Sequence, residues 1–358
     1  MPVFHAGFAQ GGAPVRVHFG RGARRSLDRE LDALSLSRAF VLTTPQQVRE
    51  GEDIVQTLGP RAVGLFTDAT MHTPVDVTEA ALKQVAASEA DCVVAVGGGS
   101  TIGLGKAIAL RTDLPQIVLP STYAGSEATP VLGQTENGVK TTLRSEKVQP
   151  EVIIYDPELV ATLPVSMTVT SGLNAMAHAV EGLYAHDANR LSSALAVEGI
   201  RAFVSGLPGV VTAPDNLAAR EDTLFGAWLC GTVLAQVGMA LHHKLCHTLG
   251  GTLNLPHAET HAIVLPHAIA YNEVAAAEVL QPAARLLDSG SAAGGLYDFA
   301  QRMGAPLALR SLGVTEADLD NVADLAVLTP YPNPRRIERN GVRQLLQDAW
   351  LGRRPFSS

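Results

Sequence analysis

Cysteine is scarce. Cys92, Cys230 and Cys246 are odd in number and widely spaced in 358 residues, which argues against a disulfide framework and suits a reducing, cytoplasmic compartment. Positive charge is not in excess either: 27 Lys and Arg stand against 35 Asp and Glu, a formal net charge of −8. No global basic field is available to a nucleic-acid backbone, so nucleic acid is not expected as a partner, although a local pocket for a small anion is compatible with this balance. The N-terminus lacks a basic patch followed by an apolar run, and no signal peptide is expected. Only Phe225 to Leu241, about 17 uncharged residues, approaches the length of a bilayer span. It contains Gln236, glycines and a threonine and runs into His242-His243-Lys244, so it reads as a buried core helix, and no membrane is expected. No internal repeat or low-complexity tract is visible.

What is present is apolar material, 46% of residues against 17% charged, enough for sizeable cores in a chain long enough for two domains. Short apolar runs at Ala39 to Thr43, Ala62 to Phe66, Cys92 to Val96 and Ile117 to Leu119 alternate with helical stretches, two of them opened by Pro45 and Pro74. That rhythm predicts right-handed crossovers and a parallel, doubly wound sheet. Glu136-Asn-Gly-Val-Lys140 carries a hairpin signature, and Val152 to Tyr155 returns as a strand. Beyond about Leu163 helical patterns take over: Val169–Tyr184, Leu191–Val204, Ala218–Thr248, Glu273–Leu287, Leu296–Met303, Glu316–Leu325 and Val342–Leu351. The expected fold is an α/β, Rossmann-like nucleotide domain over 1–160 followed by an all-α domain over 161–358.

The run ending at Val96 leads into Gly97-Gly98-Gly99-Ser100 and then a helix. A glycine turn at a helix N-terminus lets backbone N–H groups approach a pyrophosphate. Two commoner phosphate loops are absent: a Walker loop ending at Lys106 would need glycine at Ser100 and a hydroxyl at Ala107, and G-x-G-x-x-G would need glycine at Ile102.

The chemistry concentrates in Leu241-His-His-Lys-Leu-Cys-His247 and its continuation to His257. A helix ending at Gly250-Gly251 would place His243 and His247 one turn apart on one face, able to share a metal, position a substrate or hold a proton near neutrality. Upstream, Asn174 and His178 are likewise four apart. Asn174 offers a metal only a neutral oxygen, and imidazoles with Lys244 form instead a receptor for carboxylates.

These stretches, with Pro120-Ser-Thr-Tyr-Ala-Gly-Ser-Glu127 and Asn333 to Gly341, resemble the iron-containing alcohol dehydrogenase superfamily and, within it, the maleylacetate reductases, over essentially the whole chain. In the metal-using members an aspartate and a histidine four apart and two histidines fourteen apart hold the ion. Those positions match Asn174, His178, His243 and His257, so the set is degenerate and the resemblance implies an enzyme without metal. It also implies an active site between the domains, Gly97, Gly98, Gly99 and Ser100 at the cofactor pyrophosphate, Ser121, Thr122 and Lys140 along the rest of the nucleotide, and a homodimer. Thr44 stands where many relatives have an acid for the ribose 2′-hydroxyl, so NADPH is acceptable beside NADH.

The reaction implied is NAD(P)H-dependent reduction of the carbon–carbon double bond of maleylacetate, a small dicarboxylate, to 3-oxoadipate in aromatic-compound degradation. His243, Lys244, His247 and His257 are expected to be catalytic, His247 as proton donor, with Tyr123, Asn174 and His178 lining the substrate. The rivals are a metal-dependent alcohol dehydrogenase, a lyase like dehydroquinate synthase, and a nucleotide-binding sensor without turnover.

Overall fold

The structure, a computed structural model, describes residues 15–136 and 139–356. They divide into two compact units, one ending at Leu163 and one beginning at Pro164.

The first unit runs β1 (Arg16–Phe19), α1 (Leu27–Ala33), β2 (Ala39–Leu42), α2 (Val48–Leu58), β3 (Ala62–Phe66), α3 (Val75–Ala87), β4 (Cys92–Gly97), α4 (Gly99–Thr112), β5 (Gln116–Pro120), β6 (Val131–Glu136), β7 (Val139–Arg144) and β8 (Val152–Tyr155). Six strands form one sheet in the order β1-β8-β5-β4-β2-β3, parallel throughout. Strand alternation explains the two layers. Val94 and Val96 face Leu27, Leu31, Ile54 and Leu58 of α1 and α2, while Val93 faces Ala81, Val85, Leu104 and Ile108 of α3 and α4. A strand covered on both faces can afford no polar residue, which is why Cys-Val-Val-Ala-Val reads as one apolar run. β6 and β7 pair antiparallel as the Asn-Gly signature implies; Asn137 and Gly138 themselves lie outside the described residues.

The second unit contains α5 (Val165–Leu183), α6 (Arg190–Thr212), α7 (Leu217–Gln236), α8 (Leu241–Leu253), α9 (His257–Leu286), α10 (Ala292–Arg302), α11 (Asp318–Val327) and α12 (Arg339–Leu351). Three expectations are corrected. The single helix expected over Ala218–Thr248 is two, α7 and α8, bent by 95°. The chain breaks because the N–H groups of Gly238, Ala240, His242 and His243 go to the carboxylates of Asp187 and Glu181 instead of to carbonyls one turn back. Gly250 and Gly251 do not stop α8, which continues to Leu253 and ends on Asn254 in the left-handed conformation (φ 51°, ψ 42°). Residues 257–272, given no helix above, form the first part of α9, a helix with few exposed side chains and therefore little polar stripe to read.

By length and composition α6 and α9 could each cross a membrane. Here α6 packs on α5 and α7, and α9 on α5, α8, α10 and α12. α9 buries Thr260, His261, His267, Asn272 and Glu273, with His261 against His242 of α8 and Glu273 accepting from the Ala292 N–H of α10. No residue of Phe225–Leu241 is exposed.

Candidate active site

The strand order reverses between β2 and β4, and in open α/β sheets ligands sit outside the carboxyl ends of the strands at such a point. Thr44 follows β2 there and Gly97–Ser100 joins β4 to α4. The structure ties these segments together: the Gly97 carbonyl accepts the Ser121 N–H at 3.0 Å, Gln47 Nε2 donates to Ser121 Oγ at 2.5 Å, and Thr44 Oγ1 lies 3.4 Å from Gln47 Oε1. Gln47 is a member that the sequence reading missed. Glycine is required because side chains close over the backbone. A Cβ on Gly97 would lie 2.3 Å from Thr101 Oγ1, and one on Gly98 would lie 2.8 Å from Thr122 Cγ2, whereas at Gly99 the nearest atom is 3.8 Å away. The first turn of α4 thus presents bare N–H groups at Gly99 and Ser100, a site suited to phosphate.

Lys106 points elsewhere. It is fully buried, and its ammonium donates to the carbonyls of Ser126, Thr129 and Val131 at 2.6, 2.6 and 2.8 Å. It therefore pins the loop after β5 onto α4. Burial pushes this amine down to about 7, opposed by the charge of Glu127. Tyr123, expected at the substrate, is fully buried in the α/β unit. The side chain of Lys140 lies outside the described residues.

In the helical unit the fold assembles an imidazole cluster. α5 presents Asn174 and His178, α8 presents His242, His243 and His247, and α9 presents His257 and His261. The His178 and His243 rings are 5.1 Å apart, His243 and His247 6.2 Å, His247 and His257 6.5 Å, and His257 and His261 4.2 Å. His178, His243 and His261 are buried, while His247 and His257 are exposed. Desolvation holds His178 and His261 well below the ordinary imidazole range, with neighbouring imidazoles adding to the effect. Asn174 Oδ1, His178 Nδ1, His243 Nε2 and His261 Nε2 are buried without a hydrogen-bond partner. Such orphaned atoms cost free energy unless a ligand meets them. Lys244 is not brought into this cluster by its described contacts: its ammonium is 3.4 Å from Thr329 Oγ1 and 5.8 Å from the centre of the Tyr331 ring.

Glu181, one turn beyond His178, is, like Gln47 and His261, a residue that sequence reasoning passed over. It is completely buried. One oxygen lies 2.5 Å from His243 Nδ1 and accepts from the N–H groups of Ala240 and His243 at 3.3 and 3.4 Å. The other accepts from His242 N–H at 2.9 Å and the Tyr184 hydroxyl at 3.2 Å. The carboxylate therefore caps α8, where the helix dipole favours negative charge, and fixes the His243 ring with Nε2 turned to the cluster. The signal was present: Asn174, His178 and Glu181 at i, i+4 and i+7 share one helix face.

As a divalent-metal site the set Asn174, His178, His243 and His257 does not fit well. Three imidazoles are acceptable ligands for zinc, but the carboxamide supplies no charge, and the nearby carboxylate of Glu181 is committed to His243 and the α8 N-terminus.

A family profile described as iron-containing alcohol dehydrogenase matches residues 14–157, and one described as the C-terminal part of the Fe-containing alcohol dehydrogenase family matches 168–350. The chain is 59% identical to a maleylacetate reductase of Rhizobium sp. (strain MTP-10005) over 96% of its own length and 97% of that protein. It is 53% identical to one of Burkholderia cepacia, over 95% and 97% respectively. The crystal structure of maleylacetate reductase from Agrobacterium tumefaciens superposes with a TM-score of 0.95 at 58% identity, covering 98% of this chain and 99% of that one.

Proposed function

The chain belongs to the iron-containing alcohol dehydrogenase family, and from that premise we propose that it reduces the double bond of maleylacetate to 3-oxoadipate with NADH or NADPH and without a metal. The α/β unit holds the nucleotide, with its pyrophosphate on the N-terminus of α4; Thr44, which carries no charge, does not repel a 2′-phosphate. The helical unit holds the dicarboxylate.

The observation that carries this reading is the set of orphaned buried atoms on Asn174, His178, His243 and His261. His178 and His261 can each offer an N–H to a carboxylate or an enolate oxygen, Asn174 can do so through its amide nitrogen once turned, and His243, whose Nδ1–H goes to Glu181, offers one at Nε2 only as the imidazolium. Hydride added to the alkene carbon beside the carboxylate leaves an enolate on the conjugated ketone. Donors already aimed at that oxygen lower the barrier without reorganising. His243, its ring fixed by Glu181 through Nδ1–H, supplies one such donor at Nε2 as the imidazolium. The carbon alpha to the ketone then takes a proton. His247 delivers it, because its exposed ring can recover a proton from solvent at every turnover. His247→Ala should lower kcat at saturating substrate by about 100-fold; an unchanged kcat would remove His247 from this role.

The experiment that tests the whole reading follows NADH and NADPH oxidation on addition of maleylacetate, using protein stripped with chelator and assayed for residual metal. Turnover by the metal-free protein, unchanged by added zinc or iron at stoichiometric levels, is expected. Turnover that appears only after metal is restored would establish a metal-dependent reductase instead.

A further inference from the structure

Behind the imidazole cluster lies a second group of donor atoms with different chemistry. His242 and Cys246 are four apart on α8, and both are buried against His261 on α9. His242 Nε2 is 3.0 Å from His261 Nδ1, and Cys246 Sγ is 3.8 Å from His242 Nε2. One ligand atom from each of the three falls within 4.8 Å of the others. A tetrahedral zinc with Zn–N of about 2.0–2.1 Å and Zn–S of about 2.3 Å sets its ligand atoms about 3.3–3.6 Å apart. The two His242 spacings differ from this by a few tenths of an ångström, and the third, between Cys246 and His261, lies within 4.8 Å, so side-chain rotation closes the site.

We propose that His242, Cys246 and His261 form a site for a thiophilic d10 cation of the zinc class, separate from the Asn174, His178, His243 and His257 set. A thiolate with two imidazoles suits such an ion better than three imidazoles with a carboxamide. Binding is balanced by loss of one proton from the Cys246 thiol to solvent. The N–H shared between His242 and His261 moves to an outer nitrogen, and His261 Nε2, which has no partner, can carry it. The exposed His257 ring is 4.2 Å from that of His261, which places the group one side chain from the surface. The site lies beside the catalytic cluster, with the His243 ring 5.1 Å from each of the His242 and His261 rings. Metal recovered with the purified protein would then report this site and not a catalytic ion.

Cobalt(II), added without oxygen to the chelator-stripped full-length protein, is the test. One equivalent should bind and give the intense near-ultraviolet sulfur-to-cobalt charge-transfer absorption that only a thiolate ligand produces. The band should vanish in Cys246→Ser and in His261→Gln, and persist in His178→Ala. Cys92 and Cys230 belong to no such donor group among the described residues, so the wild-type spectrum remains decisive if either variant misfolds. No binding, binding without the thiolate band, or loss of the band in His178→Ala would overturn the proposal.

Discussion

Replacing Glu181 by glutamine should lower kcat for maleylacetate reduction by about 100- to 1,000-fold, with a much smaller change in KM. The buried carboxylate receives five donors: the N–H groups of Ala240, His242 and His243, the Tyr184 hydroxyl and His243 Nδ1. Glutamine keeps the shape but has one acceptor oxygen. Whichever way the amide is turned, its NH2 faces groups that also donate, and each buried donor left unpaired costs about 1–3 kcal/mol. The first turn of α8 shifts, and the His243 ring loses the partner that defines its tautomer. Outer partners of functional imidazoles are typically worth about 10- to 100-fold, and in a carboxylate–histidine pair that also sets the tautomer the loss can reach about 10,000-fold; the figure given lies between. The readout is the split between kcat and KM, taken with the unfolding midpoint. If Glu181→Gln unfolded earlier yet turned over at the wild-type rate, Glu181 would be a helix cap and nothing more.

The α/β unit was largely legible because each of its elements obeys a local rule. A strand covered on both sides must be apolar for its whole length, and Pro45 and Pro74 mark helix starts that need no partner for their missing N–H. The break between α7 and α8 was not legible, because its cause is Glu181, some 60 positions away in sequence, supplying the acceptors that a continuous helix would have supplied locally. The start of α9 was hidden for another reason. It is surrounded by neighbours, so its histidines, threonine and asparagine occupy buried positions and the apolar period is blurred. The site divides in the same way. Asn174, His178, His243 and His247 stand out by i, i+4 spacing, a property of one helix, and the His178, His243 and His247 rings lie successively 5.1 and 6.2 Å apart. That His242 and His261 meet across two helices, and that Lys244 turns to Thr329 and Tyr331, depends on how α8 is rotated after the bend, which no local pattern records.

Asn174→Asp should convert the proposed anion receptor into a metal site. The position lies one turn before His178 on α5, and its side chain is buried with Oδ1 unpartnered. A carboxylate there adds the formal charge that the set Asn174, His178, His243 and His257 lacks. It does so beside a histidine already backed by Glu181, the outer-shell arrangement that strengthens metal-bound imidazoles. Loss of an outer partner alone costs about 10- to 100-fold in metal affinity, so gain of a charged ligand should raise affinity for zinc or ferrous ion by about 1,000-fold or more. Calorimetry and the metal content of purified protein would show it. Without metal, the same carboxylate faces the substrate's own carboxylates in a buried site where water screens poorly. Maleylacetate should therefore bind more weakly to metal-free Asn174→Asp, with KM rising more than kcat falls, and added zinc should restore affinity by neutralising the new charge. If the variant gained no metal and kept the wild-type KM, Asn174 would not face the dicarboxylate, and recognition would rest on the histidines of α8 and α9 alone.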